Sequence, residues 1–209
     1  MIYNSVSVTF NTPENRNVVL QEKEGYKHIR LPYIGSYWSG LSDMIDEEAR
    51  REVDNLDWGT EDGDENNDWT IKFDYEELCK RIAKYTCEEL LGLDSDEWEF
   101  IGVDMPQVYN YGDDEIFIYI KNEAYENLAQ DYDGDSECDD PEYAPIFNKL
   151  RKEMTSWDGN SRDLDYSIEK RGLWSGFGGE IFARYYNERG SEDIFELLDI
   201  DNMTLDHEQ

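Results

Sequence analysis

The succession of apolar and polar positions divides the chain into short elements of both kinds. Residues 2–10, IYNSVSVTF, alternate in part and are rich in β-branched side chains, which predicts a strand, and VVLQ at 18–21 offers a second. From 42 to 56, SDMIDEEARREVDNL sets Ile45, Ala49, Val53 and Leu56 on one stripe, while Asp46, Glu47 and Asp54 face outward. That spacing predicts an amphipathic helix with a negative outer face. A turn-rich acidic loop follows, and WTIKF at 69–73 predicts a strand. The next helix carries the fullest set of signals. Asp74 serves as N-cap with Glu77 three residues on, Leu78, Ile82, Tyr85 and Leu90 form an apolar side, and Gly92 stands where a helix-ending glycine belongs. A helix is therefore expected over 75–91. QVYNY at 107–111 and EIFIYI at 115–120 flank Gly-Asp-Asp as the arms of a hairpin would. PEYAPIFNKLRKEM predicts a helix from near Pro145, RGLWSGFGGEIFARYYNERG at 171–190 leads into one over 180–188, and SEDIFELL from 191 forms a last short one. No repeat or linker interrupts the series. The expectation is one α+β domain over residues 1–209, with antiparallel strands, several amphipathic helices and a strongly acidic surface.

Composition supports a folded chain. With 209 residues, 38% of them hydrophobic, and six Trp, fifteen Tyr and eight Phe, there is material for a sizeable core, which excludes wholesale disorder. Charge then narrows the partners. The formal net charge is −32, from 51 acids against 19 Lys and Arg. A compact chain of this length is roughly 43 Å across, and duplex DNA of that length carries about 25 charges. End to end, this protein is at least as negative as DNA. Direct binding to nucleic acid or to an anionic membrane is disfavoured, and a charge-driven partner must be basic. The charge is also unevenly spread: residues 37–70 hold twelve acids and two bases, residues 111–145 twelve and one, and residues 1–36 three and four.

Two belts stand out. Residues 131–143, DYDGDSECDDPEY, place seven carboxylates in thirteen positions without a Lys or Arg. A calcium reading would use Asp131, Asp133, Asp135 and Glu142, but an EF-hand loop needs Gly at its sixth position, which here is Ser136. A plain solvated acidic loop is a second reading. The third is charge display: in an extended segment alternate residues project from one face about 6.6 Å apart. Asp131, Asp133, Asp135, Glu137 and Asp139 would then form a row of anions at a spacing like that of phosphates on one strand, with Asp140 beside them. The loop over 57–68 repeats the theme with Glu61, Asp62, Asp64, Glu65 and Asp68, and Asp113 and Asp114 add a smaller cluster.

Catalytic chemistry finds little support. The two histidines, His28 and His207, stand far apart and leave no evident Ser-His-Asp, Cys-His or zinc arrangement. No Lys has an acid two positions before it, so the acid-x-Lys nuclease pattern is missing. GLWSGFGGE at 172–180 puts glycines ahead of a helix, yet matches neither G-x-G-x-x-G nor a Walker loop, and close packing under Trp174 and Phe177 explains it better. A paired-carboxylate glycosidase remains open by spacing alone. No enzyme activity and no cofactor are expected. Cys79, Cys87 and Cys138 are odd in number and lack paired spacing, which points to free thiols in a reducing cytosol. No apolar run reaches the ~18 residues of a membrane helix, so a cytoplasmic location is expected. A salt-loving host would explain the acidity, but only six Ala with abundant Asn, Ile and Tyr fit an A·T-rich coding sequence better.

Acidic, cysteine-poor and aromatic-rich over its whole length, the chain resembles the DNA-mimic inhibitors that bacteriophages and mobile elements direct against restriction and CRISPR systems. MPQVYNYGDDEIFIYI and GLWSGF also look like segments of phage proteins that carry a Tyr-Asn-Phe turn, with Tyr109, Asn110 and Tyr111 at that turn and Gly-Asp-Asp replacing the family's Thr-Asp-basic run. The resemblance implies a non-enzymatic inhibitor in the host bacterial cytoplasm, whose partner is a basic nucleic-acid-binding protein of a defence system. A CRISPR effector is the leading target and a restriction-modification enzyme the alternative. An acidic calcium-responsive or partner-binding module is the reading from a different class, and homodimerisation is left open.

Overall fold

A computed structural model describes residues 5–10, 20–31, 45–52, 68–104, 115–130, 138, 140–156, 164–166, 168–169, 173–202 and 204–206. The described chain is a mixed α+β fold with two three-stranded sheets. The first joins β1 (Ser5–Phe10), β3 (Asp68–Phe73) and β6 (Thr204–Asp206) in the order β1-β3-β6. The second joins β2 (Tyr26–Leu31), β5 (Glu115–Lys121) and β4 (Trp98–Asp104) in the order β2-β5-β4. All ladders are antiparallel except β1 with β3, which run parallel from Ser5 opposite Asp68 to Phe10 opposite Phe73. The expected mixed α+β fold with antiparallel strands is present, with one parallel pair beside them.

Strand β5 is central and reads as an almost continuous apolar run for that reason. Ile116, Ile118 and Ile120 are buried on one face and Phe117 on the other. Its described partners are β4 and β2; the expected hairpin arm at 107–111 lies outside the described residues. The β4–β5 register slips between Phe100 and Gly102, a bulge that breaks the alternation of WEFIGVD. VVLQ does not extend as a strand where it is described: Leu20 and Gln21 are exposed and irregular, and the ladder starts only after a turn at Gly25. His28 sits in β2 across from Tyr119.

The helices follow the pattern more closely. Residues 45–52 form α1, with Ile45 and Ala49 buried and Glu47 exposed. Helix α2 (Tyr75–Tyr85) starts as predicted: the Glu77 amide donates to Asp74 Oδ1 at 3.0 Å, satisfying one of the unpaired N–H groups of the first turn. Its apolar side buries Leu78, Cys79, Ile82, Ala83 and Tyr85. The expected α-helix to residue 91 instead widens into a π-helical turn over Thr86–Leu90, with Leu91 N–H bonded to Thr86 O at 2.9 Å. Gly92, at φ 73°, then ends it. Helices α3 (Asn122–Gln130) and α4 (Ala144–Ser156) pack together, and α5 (Leu173–Phe195) runs past α2.

The glycine-rich stretch expected to precede α5 is itself helical from Leu173, and Gly176, Gly178 and Gly179 are buried within it. The break at Gly190, with φ 79° and ψ 171°, falls where the expected helix over 180–188 gives way to the expected short helix from 191. One cluster of buried side chains unites β2–β5, α1, α2, α4 and α5. Phe147 of α4 and Phe177 of α5 meet in it with ring centroids 4.4 Å apart. Cys79, Cys87 and Cys138 are all buried free thiols, and burial pushes the Cys87 thiol well above its ordinary pKa. Among the described residues, no helix is long and apolar enough to cross a membrane.

Candidate functional site

Most of the carboxylates singled out from sequence, namely Glu61, Asp62, Asp64, Glu65, Asp113, Asp114, Asp131, Asp133, Asp135, Glu137 and Asp139, lie outside the described residues. Asp68, counted with the 57–68 loop, is instead the first residue of β3, in register with Ser5 and with Asp206. Asp140 is exposed, and its carboxylate accepts a hydrogen bond from the Glu142 amide at 2.9 Å. Its carbonyl accepts from the amides of Tyr143 and Ala144 at 3.1 and 2.9 Å, so this residue fixes the entry to α4.

Two further contacts pin the end of the acidic stretch. Cys138 is buried and donates its thiol to Asp140 O at 3.7 Å. The Glu142 carboxylate pairs with Lys27 Nζ of β2 at 3.3 Å, and the Tyr125 hydroxyl donates to the Glu142 carbonyl at 2.8 Å. Glu142 is the residue a calcium loop would need as its bidentate ligand; here that carboxylate faces an ammonium. Among the described residues, no three His, Cys, Asp or Glu side chains gather as a metal site.

Most of the described cations elsewhere are tied to carboxylates of the same chain, among them Lys23 to Glu99, Lys121 to Asp96 at 2.8 Å, Arg151 to Asp165 at 2.8 Å and Lys149 to Glu153 at 3.1 Å. The Lys121 hydrogen bond holds the Asp96 carboxyl below its usual range. Acids in excess of this pairing remain exposed and without an ion pair among the described residues, as at Glu22, Glu24, Glu47, Glu123, Glu126 and Glu192.

Among the described residues, a cleft of about 630 Å³ opens between α2 with its π-helical turn and the second half of α5. Tyr85 and Tyr185 form its inner wall, edge to face at 5.5 Å. The Tyr85 hydroxyl donates to Glu188 at 2.6 Å, and the Tyr185 hydroxyl donates to Asp193. Burial first, and then these carboxylate partners, push both phenols well above the usual tyrosine range, so both stay neutral donors. Arg81 reaches across from α2 to the Asp193 carboxylate, to its carbonyl at 2.7 Å and to Glu196 at 3.3 Å. Arg189 reaches back to Glu89 at 2.8 Å and lies 5.8 Å from the Tyr85 ring centre. Burial opposes the charge on Glu188, but the Tyr85 hydroxyl and Arg184 outweigh it and hold this carboxyl below its usual range.

Around that frame, Glu88 and Glu192 line the cleft without an ion pair among the described residues, Glu88 accepting only from Trp98 Nε1 at 3.3 Å. A second concavity of about 420 Å³ shares Glu196 with the first and is lined by Asp74, Asp199 and Asp201 with Lys72. None of these cleft residues was singled out from sequence as a contact. The partners that reach between α2 and α5 stand 100 to 115 positions apart, as Arg189 does from Glu89 and Arg81 from Glu196, so no local pattern could join them. The π-helical turn is the local feature that presents Glu88 and Glu89, and the sequence reads there as ordinary helix. No family model, curated protein or solved structure matches this chain.

Proposed function

We propose that this protein is a non-enzymatic DNA mimic that occupies the nucleic-acid-binding cleft of a bacterial defence nuclease, acting in the host cytoplasm. The observation that carries the reading is the surplus of charge. A net −32 sits on a folded scaffold whose described cations are largely spent on internal ion pairs, leaving carboxylates as the charge offered outward. A groove built to hold phosphates with Lys and Arg gains by the same counterion release when it accepts such a surface. CRISPR effectors hold nucleic acid in a positively charged channel and are the favoured target. A restriction enzyme offers the same chemistry.

Anchoring of the 131–142 belt supports display over slack chain. Cys138 is buried and Asp140 and Glu142 are bonded to α4, β2 and α3, so the belt's C-terminal end is held at the core. Anchoring lowers the ordering cost of binding. The Glu142–Lys27 pair weighs against the calcium-responsive alternative.

The test is affinity capture from bacterial lysate with the wild-type protein and with a variant carrying Asn or Gln at Asp131, Asp133, Asp135, Glu137, Asp139 and Asp140. Nucleic-acid-binding proteins recovered by the first and lost by the second are the expected result. Recovery of partners with no nucleic-acid groove, or inhibition untouched by the substitutions, overturns the proposal.

A further inference from the structure

The cleft between α2 and α5 already shows how this protein holds guanidinium groups. Arg189 lies across the Tyr85 ring while bonding Glu89, and Arg81 bonds a carboxylate and a carbonyl at Asp193 beside Tyr185. Carboxylates plus an aromatic wall suit a planar, weakly hydrated cation better than a compact ammonium. Arg81, Arg189 and Lys84 line the cleft yet leave about 630 Å³ of it open, and Glu88 and Glu192 stand at it without an ion pair among the described residues.

We infer that this cleft is a receptor for an arginine side chain presented by the basic protein partner, docked in its open part against the wall formed by Tyr85 and Tyr185 and bonded by Glu88 and Glu192. The inference rests on the proposed mimicry for the identity of the partner, and it adds an anchoring pocket distinct from the acidic belts. A partner arginine that normally grips a phosphate would gain two carboxylates in a cleft lined by further acids, Glu77, Glu89, Asp193 and Glu196. Charge-assisted hydrogen bonds in a shielded pocket fix orientation as well as strength.

The test uses the full chain and two peptides of equal charge, hexa-arginine and hexa-lysine, at physiological salt, where diffuse attraction is screened. Calorimetry gives the affinities, and ring-proton NMR reports on Tyr85 and Tyr185. The expected result is tighter binding of the arginine peptide, shifts at both tyrosine rings, and a loss of about tenfold or more in Glu88→Gln with Glu192→Gln. Glu192 is exposed and Gln at position 88 can still accept from Trp98, so the fold should stay intact; unchanged circular dichroism checks it.

Equal binding of the two peptides, or arginine-peptide binding unaltered in the double variant, overturns the pocket while leaving mimicry by the belts untouched. A pocket that binds the arginine peptide as described while lysate capture yields no nucleic-acid-binding protein overturns the mimicry instead, and leaves a guanidinium site with another partner.

Discussion

Replacing Arg81 with Ala should separate the contacts of the α2–α5 clamp from the general cost of losing a positive charge. Arg81 donates to the Asp193 carbonyl at 2.7 Å and to its carboxylate, and reaches Glu196 at 3.3 Å, with 26% of its side chain exposed. Arg189, in its exposed pair with Glu89, has 48% of its side chain exposed. Hydrogen bonds to charged groups contribute roughly 1.5–3 kcal/mol when shielded, and exposed pairs about 0–1 kcal/mol. Asp193 keeps the Tyr185 hydroxyl after the substitution, so its carboxylate is not left without a donor. Allowing for solvent on the open side of the cleft, Arg81→Ala should cost about 2 kcal/mol, and Arg189→Ala roughly 0.5 kcal/mol. Both variants change the net charge equally, so self-repulsion cancels in the difference. For a chain of this size the gap corresponds to about 3–6 °C in Tm. Thermal melts followed by near-ultraviolet circular dichroism, which senses the Tyr85–Tyr185 pair, read it directly. Equal melting temperatures for the two variants would refute the clamp as the tie between these helices.

Other outcomes follow from the same structure. Phe147→Ala removes a fully buried ring that packs 4.4 Å from Phe177 and should cost about 3–5 kcal/mol; a urea midpoint within experimental error of wild type would contradict the shared α4–α5 core. Stability should rise as pH falls from 7 towards 5, because protonation relieves the repulsion of a −32 chain. Glu188 has a folded-state pKa below its ordinary 4.5, so its contribution is fully present above that value and is lost as pH falls through the depressed one. A stability maximum on the acidic side is expected, and a monotonic decline in urea midpoint from pH 7 to 4 would contradict it. Calorimetry with Ca²⁺ should give no stoichiometric heat; a micromolar signal that disappears in Asp131→Asn with Asp133→Asn would favour a calcium module instead.

The parts of the fold that local chemistry dictates were legible. Asp74, Glu77 and Gly92 marked α2 because caps act within one turn, and Ile45 with Ala49 marked α1 by period alone. Strand β2 was not legible, since Ile29 and Leu31 are its only aliphatic side chains, and Lys27 and Arg30 find partners outside the sheet, at Glu142 with the Tyr125 ring and at the Tyr143 ring. Strand β4 hid for a different reason: the bulge after Phe100 shifts the alternation by one. Gly176, Gly178 and Gly179 read as loop because helix propensity penalises glycine, yet they are helical and buried in α5. The cleft was invisible in principle, being assembled by partners a hundred residues apart, whereas the charge surplus was legible from composition alone.

The central claim is that this surface replaces DNA in a basic groove, and competition measures it most directly. With a captured nuclease, its DNA and this protein in one binding titration at two salt concentrations, the account predicts mutual exclusion, and an inhibitor affinity that falls steeply with salt as DNA binding does. A stable complex holding nuclease, DNA and this protein together, with affinity indifferent to salt, would contradict it.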